Sequence, residues 1–159
     1  MLNSKQLNAL PLLIIIALIV GACNSQSGNW QKLNQQFLDN NKTQANVVTT
    51  STGLQYKVIT RGVGLKPNAG SYVQLLYTGK LIDGTVFDTT VNDTTLVNSP
   101  RSMYVSSLVS GFQEALLKMN TGSTFEIYIP QSLGYGSTAM GNIPAYSTLI
   151  FDVQLVGFQ

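Results

Sequence analysis

From Gly53 onward, apolar residues recur at every second position, and this period of two constrains the fold more than any other feature of the sequence. The alternation directs successive side chains to opposite faces of a strand. Apolar residues on one face only are typical of antiparallel sheets that cover a core on one side. The apolar faces consist of Leu54, Tyr56 and Val58, then Val73, Leu75 and Tyr77, then Phe125, Ile127 and Ile129, and finally Leu149, Phe151, Val153 and Leu155.

A single helical signal interrupts these strands. Four apolar residues follow the spacing of one helix stripe, and Gly122 comes after them as a stop signal. At least four strands and one short helix predict an α+β domain whose sheet wraps its inner face around that helix. Upstream, residues 29–42 have a modest amphipathic pattern that predicts one short N-terminal helix. The stripe of the internal helix consists of Phe112, Ala115, Leu116 and Met119.

The start of the chain has the pattern of an export signal. Lys5 precedes an apolar run over residues 12–20. This run is too short to cross a bilayer, because a spanning helix needs roughly 20 apolar residues. This combination is typical of a secretory signal peptide. Cys23 follows and resembles the acylated cysteine of the lipobox of bacterial lipoproteins, which implies a lipid anchor. A cleaved signal with a chance cysteine, and an uncleaved anchor, stay open as alternatives.

These features predict three segments, namely a lipoprotein signal peptide over 1–22, a lipidated tether with a short helix over 23–46, and a domain over 47–159. Residues 24–29 are the polar part of the tether. The predicted helix has few turns and is marginal on its own, so we do not expect it to hold two chains together. We expect a monomer that is attached to the membrane through Cys23.

The composition excludes several kinds of chemistry. The chain has no histidine, so a Ser-His or Cys-His nucleophilic pair cannot form. A single cysteine without histidine cannot build a Cys/His metal site, and we expect no metal and no cofactor. Charged residues make up only 10% of the chain, which leaves no basic patch for nucleic acid. Asp83, Asp88 and Asp93 lie in contexts typical of turns, and a hydrolytic pair of Asp83 and Asp88 is the alternative.

Three segments together resemble the FKBP-type peptidyl-prolyl isomerases, and most closely the bacterial macrophage-infectivity-potentiator and FkpA-like branch. The segments are YVQLLYTGKLIDGTVFDTT (72–90), VSGFQEALLKMNTGSTFEIYIPQSLGYG (109–136) and NIPAYSTLIFDVQLV (142–156). The similarity covers residues 47–159. It implies a bent antiparallel sheet of five to six strands wrapped around one short α-helix, with a hydrophobic pocket between the helix and the sheet.

The resemblance also implies the residues of that pocket. The Tyr135 hydroxyl and the Val109 backbone N–H would donate hydrogen bonds to a bound peptide, and residues 137–146 would form a flap over the pocket. Without the resemblance, Tyr77, Phe112 and Phe151 are interpreted as core residues. The implied catalytic residues are Tyr77, Phe87, Asp88, Phe112, Tyr135 and Phe151, and the implied substrate-binding residues are Met103, Leu108, Val109 and Ile143.

The activity implied by the resemblance is rotation of X–Pro bonds. The expected partners are proline-containing peptides and unfolded envelope proteins, with macrolides such as tacrolimus or rapamycin as inhibitors. The location expected from the lipid anchor is the cell envelope, at the outer membrane facing the periplasm or at the cell surface in a Gram-negative source. Two alternatives stay open: an FKBP-fold chaperone that binds without turnover, and a surface interaction lipoprotein. The motivation of the first alternative is Phe112, where the family most often has tryptophan, and Met103, where an aromatic is usual.

Overall fold

The computed structural model describes residues 12–91 and 99–159, with side chains from residue 27 onward. The described chain contains two α-helices, seven strands and two short 3₁₀ turns, the turns over Val105–Ser107 and Gln131–Leu133. In chain order the elements are α1 (Leu12–Asn41), β1 (Val48–Thr49), β2 (Gln55–Thr60), β3 (Tyr72–Lys80), β4 (Val86–Thr89), β5 (Arg101–Tyr104), α2 (Ser110–Leu116), β6 (Thr124–Ile129) and β7 (Leu149–Phe158).

All seven strands form one antiparallel sheet in the order β1-β2-β6-β7-β3-β4, with β5 beside β4 on the same edge of β3. The sheet therefore confirms the predicted α+β fold. It has one strand more than the five or six predicted. The two-residue β1 and the four-residue β4 and β5 are too short for alternation to reveal them.

The inner face of the sheet packs against α2, as the alternation predicts. Val73 and Leu75 of β3 are fully buried, and Tyr77 is nearly so. All four residues of the α2 stripe are buried as well, although α2 ends before the last of them. Burial of these side chains removes a large apolar surface from water, which is the main stabilising contribution to such a domain.

Helix α1 is longer than predicted, and its second half lies against the outer face of the sheet. Leu38 packs with Tyr128 and Ile150, two residues that the alternation assigns to the face away from the core. Both are buried because α1 covers them. The sheet is thus apolar on its outer face at the point where this helix crosses it.

The predicted helix over residues 29–42 begins too late, because α1 also runs through residues 24–29, the polar part of the predicted tether. No proline lies between Leu12 and Asn41, and the polar residues there cost a helix only a few tenths of a kcal/mol each, with about 1 kcal/mol for Gly28. Helix α1 is longer than the short helix on which the expectation of a monomer rests, and the monomeric state stays a prediction. The division at residue 46 stays a prediction.

The N-terminal predictions fall mostly outside the described chain. Residues 1–11 of the predicted signal peptide and the side chain of Cys23 are not described, and Asp93 lies in the undescribed stretch 92–98. Among the described residues, no helix combines the length and the apolarity needed to cross a membrane.

Candidate active site

A cavity of about 300 Å³ lies between α2 and the inner face of the sheet. Its lining is mainly aromatic and aliphatic, with a half-exposed carboxylate among the lining groups. The structure brings together in this cavity all ten residues that the resemblance implies: Tyr77, Phe87, Asp88, Met103, Leu108, Val109, Phe112, Tyr135, Ile143 and Phe151. Their individual roles stay predictions.

Four aromatic rings form the cluster at the centre of this site. Tyr77 comes from β3, Phe87 from β4, Phe112 from α2 and Phe151 from β7. The Phe151 centroid lies 4.8 Å from Phe112, 5.4 Å from Phe87 and 5.9 Å from Tyr77, and each pair is arranged edge to face. This arrangement is the one that aromatic quadrupoles favour. Phe151 therefore connects the other three rings, and the cluster presents a rigid apolar wall to the cavity.

Gly79 of β3 provides the space that this cluster needs. It continues the inward-facing series of β3 and lies opposite Phe151 on β7 and Asp88 on β4. A Cβ atom at this position would stand 2.6 Å from Cε2 of Phe87 and 2.7 Å from Cε1 of Phe151. These separations are far below van der Waals contact. A glycine is thus required at position 79 because the rings of Phe87 and Phe151 approach the backbone closely there.

A polar network holds Tyr77, Asp88 and Arg101 together beside the rings. The Tyr77 hydroxyl donates a hydrogen bond of 2.5 Å to Oδ2 of Asp88. Arg101 donates to the same oxygen at 2.8 Å and also to the Tyr77 hydroxyl oxygen. The guanidinium carbon lies 5.4 Å from the centroid of the Tyr77 ring, within the range of a cation–π contact. The network fixes both the ring of Tyr77 and the carboxylate of Asp88.

This network sets the protonation states of its members. Burial alone raises the pKa of Asp88, but hydrogen bonds from Tyr77 and Arg101 outweigh it and hold that pKa below its usual value. Burial and the nearby Asp88 raise the pKa of Tyr77. Asp88 is therefore ionised and Tyr77 is neutral throughout the physiological pH range.

The pH dependence of the domain follows from these shifts. A carboxyl group with a depressed pKa stabilises the fold above its unfolded-state pKa, and this contribution is lost as the pH falls through its folded-state pKa. With no histidine in the chain, we expect the urea midpoint of unfolding to stay constant between about pH 5 and 9 and to decline only below about pH 4.

The measurement is a pH profile of the urea midpoint, with Asp88→Asn as the control. The variant removes the titrating group, so its acid decline should be shallower than that of the wild-type chain. A titration step between about pH 6 and 8 in the wild type would contradict this account.

Two potential hydrogen-bond donors lie in the cavity lining. The Tyr135 hydroxyl and the Val109 N–H have no hydrogen-bond partner among the described residues. Val109 is the N-cap of α2, so its carbonyl rather than its N–H enters the helix. Tyr135 stands between Gly134 and Gly136, and the left-handed φ of 61° at Gly136 turns the chain into the flap, residues 137–146. Both donors can therefore bind an acceptor that enters the cavity.

Sequence reasoning missed three residues of this region. Leu149 lines the cavity and shares its strand face with Phe151, so the alternation could have identified it. Ser107 also lines the cavity, and Arg101 completes the polar network, but neither follows any motif. The alternative pair of Asp83 and Asp88 does not find support, because Asp83 is outside the cavity lining and accepts the N–H of Thr85 at 3.0 Å in a turn.

Two family models match the chain. Residues 64–156 match the model described as FKBP-type peptidyl-prolyl cis-trans isomerase, and this range holds every residue of the cavity. Residues 22–58 match the model of a domain that is amino-terminal to FKBP-type peptidyl-prolyl isomerase. The second match includes most of α1 together with β1 and part of β2.

Similar proteins with curated descriptions include outer membrane protein MIP of Legionella longbeachae, 42% identical over 121 residues, which are 76% of this chain and 50% of the relative. The FKBP-type 22 kDa peptidyl-prolyl cis-trans isomerase of Escherichia coli is 42% identical over 122 residues, which are 76% of this chain and 57% of the relative. The chain thus spans about half the length of the curated relatives that it matches.

Solved structures match the whole architecture. FkpA from Escherichia coli has a TM-score of 0.80 and 28% identity, and the alignment covers 93% of this chain and 70% of that one. A peptidyl-prolyl cis-trans isomerase from Pseudomonas syringae pv. tomato has a TM-score of 0.75 and 28% identity, covering 84% of this chain and 96% of that one.

Proposed function

Because the chain belongs to the FKBP-type peptidyl-prolyl cis-trans isomerase family, we propose that its aromatic cavity catalyses rotation about X–Pro peptide bonds. The observation that carries the proposal is that the four-ring cluster and two donors without a partner among the described residues line one cavity of about 300 Å³. A prolyl ring is small and apolar, and such a cavity can bury most of its surface.

The chemistry needs no acid, base or metal. Resonance across the C–N bond gives the barrier of about 18–20 kcal/mol, and the twisted transition state has lost this resonance. The planar amide is the more charge-separated form, so transfer into an apolar site disfavours the ground state relative to the twisted state. The ring cluster supplies such a site. Each factor of ten in rate requires about 1.4 kcal/mol, so a few such contacts suffice.

The donors give the second contribution. A catalyst must bind the twisted form more tightly than the planar form. The Tyr135 hydroxyl and the Val109 N–H donate to carbonyl oxygens of the bound peptide and hold the segments on either side of the rotating bond. Asp88 keeps the Tyr77 ring in place through the hydrogen bond of 2.5 Å.

Two departures from the family pattern are compatible with this function. Phe112 is 3% exposed and packs edge to face on Phe151, so the floor of the cavity stays apolar without the usual tryptophan. Met103 replaces a flat ring with a flexible thioether, which remains apolar and adaptable. We expect these residues to affect the preference among peptides and macrolides such as tacrolimus more than the turnover itself.

The proposed substrates are proline-containing segments of unfolded envelope proteins. One support is the name of the Legionella longbeachae relative, which is an outer membrane protein. A second is the lipobox-like position of Cys23, which we propose as the site of a lipid anchor to the cell envelope. Fatty chains contribute about 0.8 kcal/mol per buried CH₂, and stable anchoring takes more than one chain.

A refolding assay tests the activity. Uncatalysed X–Pro isomerisation takes tens to hundreds of seconds, so a substrate protein whose folding is limited by this step should fold faster when the full chain, purified in detergent, is added in catalytic amounts. The acceleration should disappear when tacrolimus occupies the cavity. Binding of a proline peptide without any acceleration of folding would contradict the proposed enzymatic activity and favour a non-catalytic chaperone.

Tyr135→Phe is the variant that tests the polar contribution. It removes one hydroxyl that is unpaired within the described chain, so the fold should be unaffected. A hydrogen bond to substrate is worth about 0.5–1.5 kcal/mol, and we expect kcat/KM to fall roughly three- to tenfold. Tyr104→Phe is the matched control, because this tyrosine is 57% exposed and outside the cavity lining. Equal activity of the Tyr135→Phe variant and the wild type would remove the donor role.

A further inference from the structure

Helix α1 contacts the segment that follows the flap. The indole Nε1–H of Trp30 donates a hydrogen bond of 2.9 Å to the hydroxyl of Ser147. That hydroxyl in turn donates to the Pro144 carbonyl at 2.7 Å, within the flap itself. Trp30 also packs on the main core. The Trp30 side chain of the N-terminal helix is therefore hydrogen-bonded to the Ser147 hydroxyl, which in turn holds the end of the flap.

Asn34, one turn further along α1, makes the second contact. It is 2% exposed, and its Oδ1 accepts the backbone N–H of Thr148 at 2.6 Å. Its Nδ2 donates to the carbonyl of Trp30 at 2.9 Å. A buried amide that satisfies a backbone N–H across two elements is costly to remove, because the N–H is left without a partner. Asn34 thus connects α1, at the residue that carries the indole, to the backbone just before β7.

These contacts lie next to the cavity. Ser147 and Thr148 lead directly into Leu149, which lines the cavity at the start of β7. At the other end of the same segment, the Tyr146 N–H donates to the Gly136 carbonyl at 2.8 Å and closes the flap into a loop. Ile143, within this loop, is 7% exposed and contributes to the cavity wall.

We propose that Trp30 and Asn34 are positioning residues that hold the flap, and with it Ile143 and Tyr135, in the geometry that binds a prolyl peptide. The proposal rests on the proposed function for its kinetic consequence. Neither residue touches the cavity, so they act through Ser147, Thr148 and the flap. Helix α1 thereby supports the geometry of the site, although none of its described residues lines the cavity.

The test uses Asn34→Ala and Ser147→Ala in the full chain, with Asn41→Ala as the matched control. Asn41 is also a buried amide of α1, but it donates to Gln55 Oε1 at 2.9 Å, away from the flap. We expect KM for a proline peptide to rise roughly three- to tenfold in the first two variants, with kcat changed less than twofold, because a lost hydrogen bond of this kind loosens the binding geometry. Asn41→Ala should leave both constants at their wild-type values.

Hydrogen–deuterium exchange of the folded chains supplies a readout that is independent of catalysis. Amides of residues 134–148 should exchange faster in Asn34→Ala and Ser147→Ala, while those of β3 keep their wild-type rates. Unchanged exchange in the flap, an unchanged KM in variants whose flap exchanges faster, or equal effects from Asn41→Ala would each overturn the proposal. A wild-type chain without isomerase activity would contradict the proposed function, and the exchange rates would still decide whether α1 holds the flap.

Discussion

Phe151→Ala is expected to destabilise the domain by about 3–5 kcal/mol and to remove most of the proposed isomerase activity. Phe151 is 7% exposed and packs edge to face on three other rings, so truncation leaves a void that neighbouring strands cannot fill. Small domains have only about 5–15 kcal/mol of stability in total. The free energy of unfolding, measured by urea titration, and kcat/KM from the refolding assay are the two readouts.

Phe151→Leu separates the two effects. Leucine is smaller than phenylalanine but leaves a smaller void than alanine, so this variant should lose less stability than Phe151→Ala. It still removes the flat ring that faces the cavity. We therefore expect this variant to be folded and still to have a much reduced kcat/KM. Val156→Ala, on the same strand and 38% exposed, is the control and should change the stability by less than about 0.5 kcal/mol. Full activity in Phe151→Leu would mean that the ring serves the core alone.

Gly79→Ala should have the second-largest effect on stability and kcat/KM. This variant adds a methyl group, whereas Phe151→Ala removes a ring. The new methyl group would stand 2.6 Å from the Phe87 ring and 2.7 Å from the Phe151 ring, so at least one ring must move. Overpacking of this kind typically costs about 1–3 kcal/mol. Because a displaced ring moves into the cavity, we expect kcat/KM to fall at least tenfold and tacrolimus affinity to fall with it.

Gly157→Ala is the matched control for this prediction. Gly157 is also a strand glycine, on β7, but the nearest atom that a Cβ would meet is the Gln74 side-chain oxygen at 3.8 Å, an ordinary contact. This variant should leave stability and activity close to their wild-type values. Equal losses in the two variants would show that the cost comes from alanine in a strand in general, and the close approach at Gly79 would then be irrelevant.

The part of the site that lies on regular strands could be predicted from the sequence. Tyr77 and Phe151 fall on apolar faces with a period of two, and Phe112 falls on a helical stripe, so periodicity alone places their side chains inside. Their interpretation as pocket residues needed the family resemblance. Periodicity reports burial and cannot distinguish a ring that packs in the core from one that also faces a cavity.

Contacts between distant segments could not be predicted in this way. Arg101 reaches Asp88 across the β4–β5 connection, and no motif marks it. The docking of α1 on the outer face was missed for a related reason. Tyr128 and Ile150 lie on the face that alternation assigns to solvent, and their burial follows from the packing of Leu38 and Phe37 of α1 against that face. Such features depend on the three-dimensional path of the chain and have no local signature.

The position of the single tryptophan has an optical consequence. In a protein of this family a tryptophan on the cavity floor would make the emission sensitive to cavity contents, but that position here is Phe112. The only indole belongs to Trp30, which is bonded to Ser147. We therefore expect its fluorescence to respond to the attachment of α1 to the end of the flap, and the ring cluster to contribute only weak phenylalanine and tyrosine emission. The chain has a built-in optical probe located at the helix junction rather than in the site.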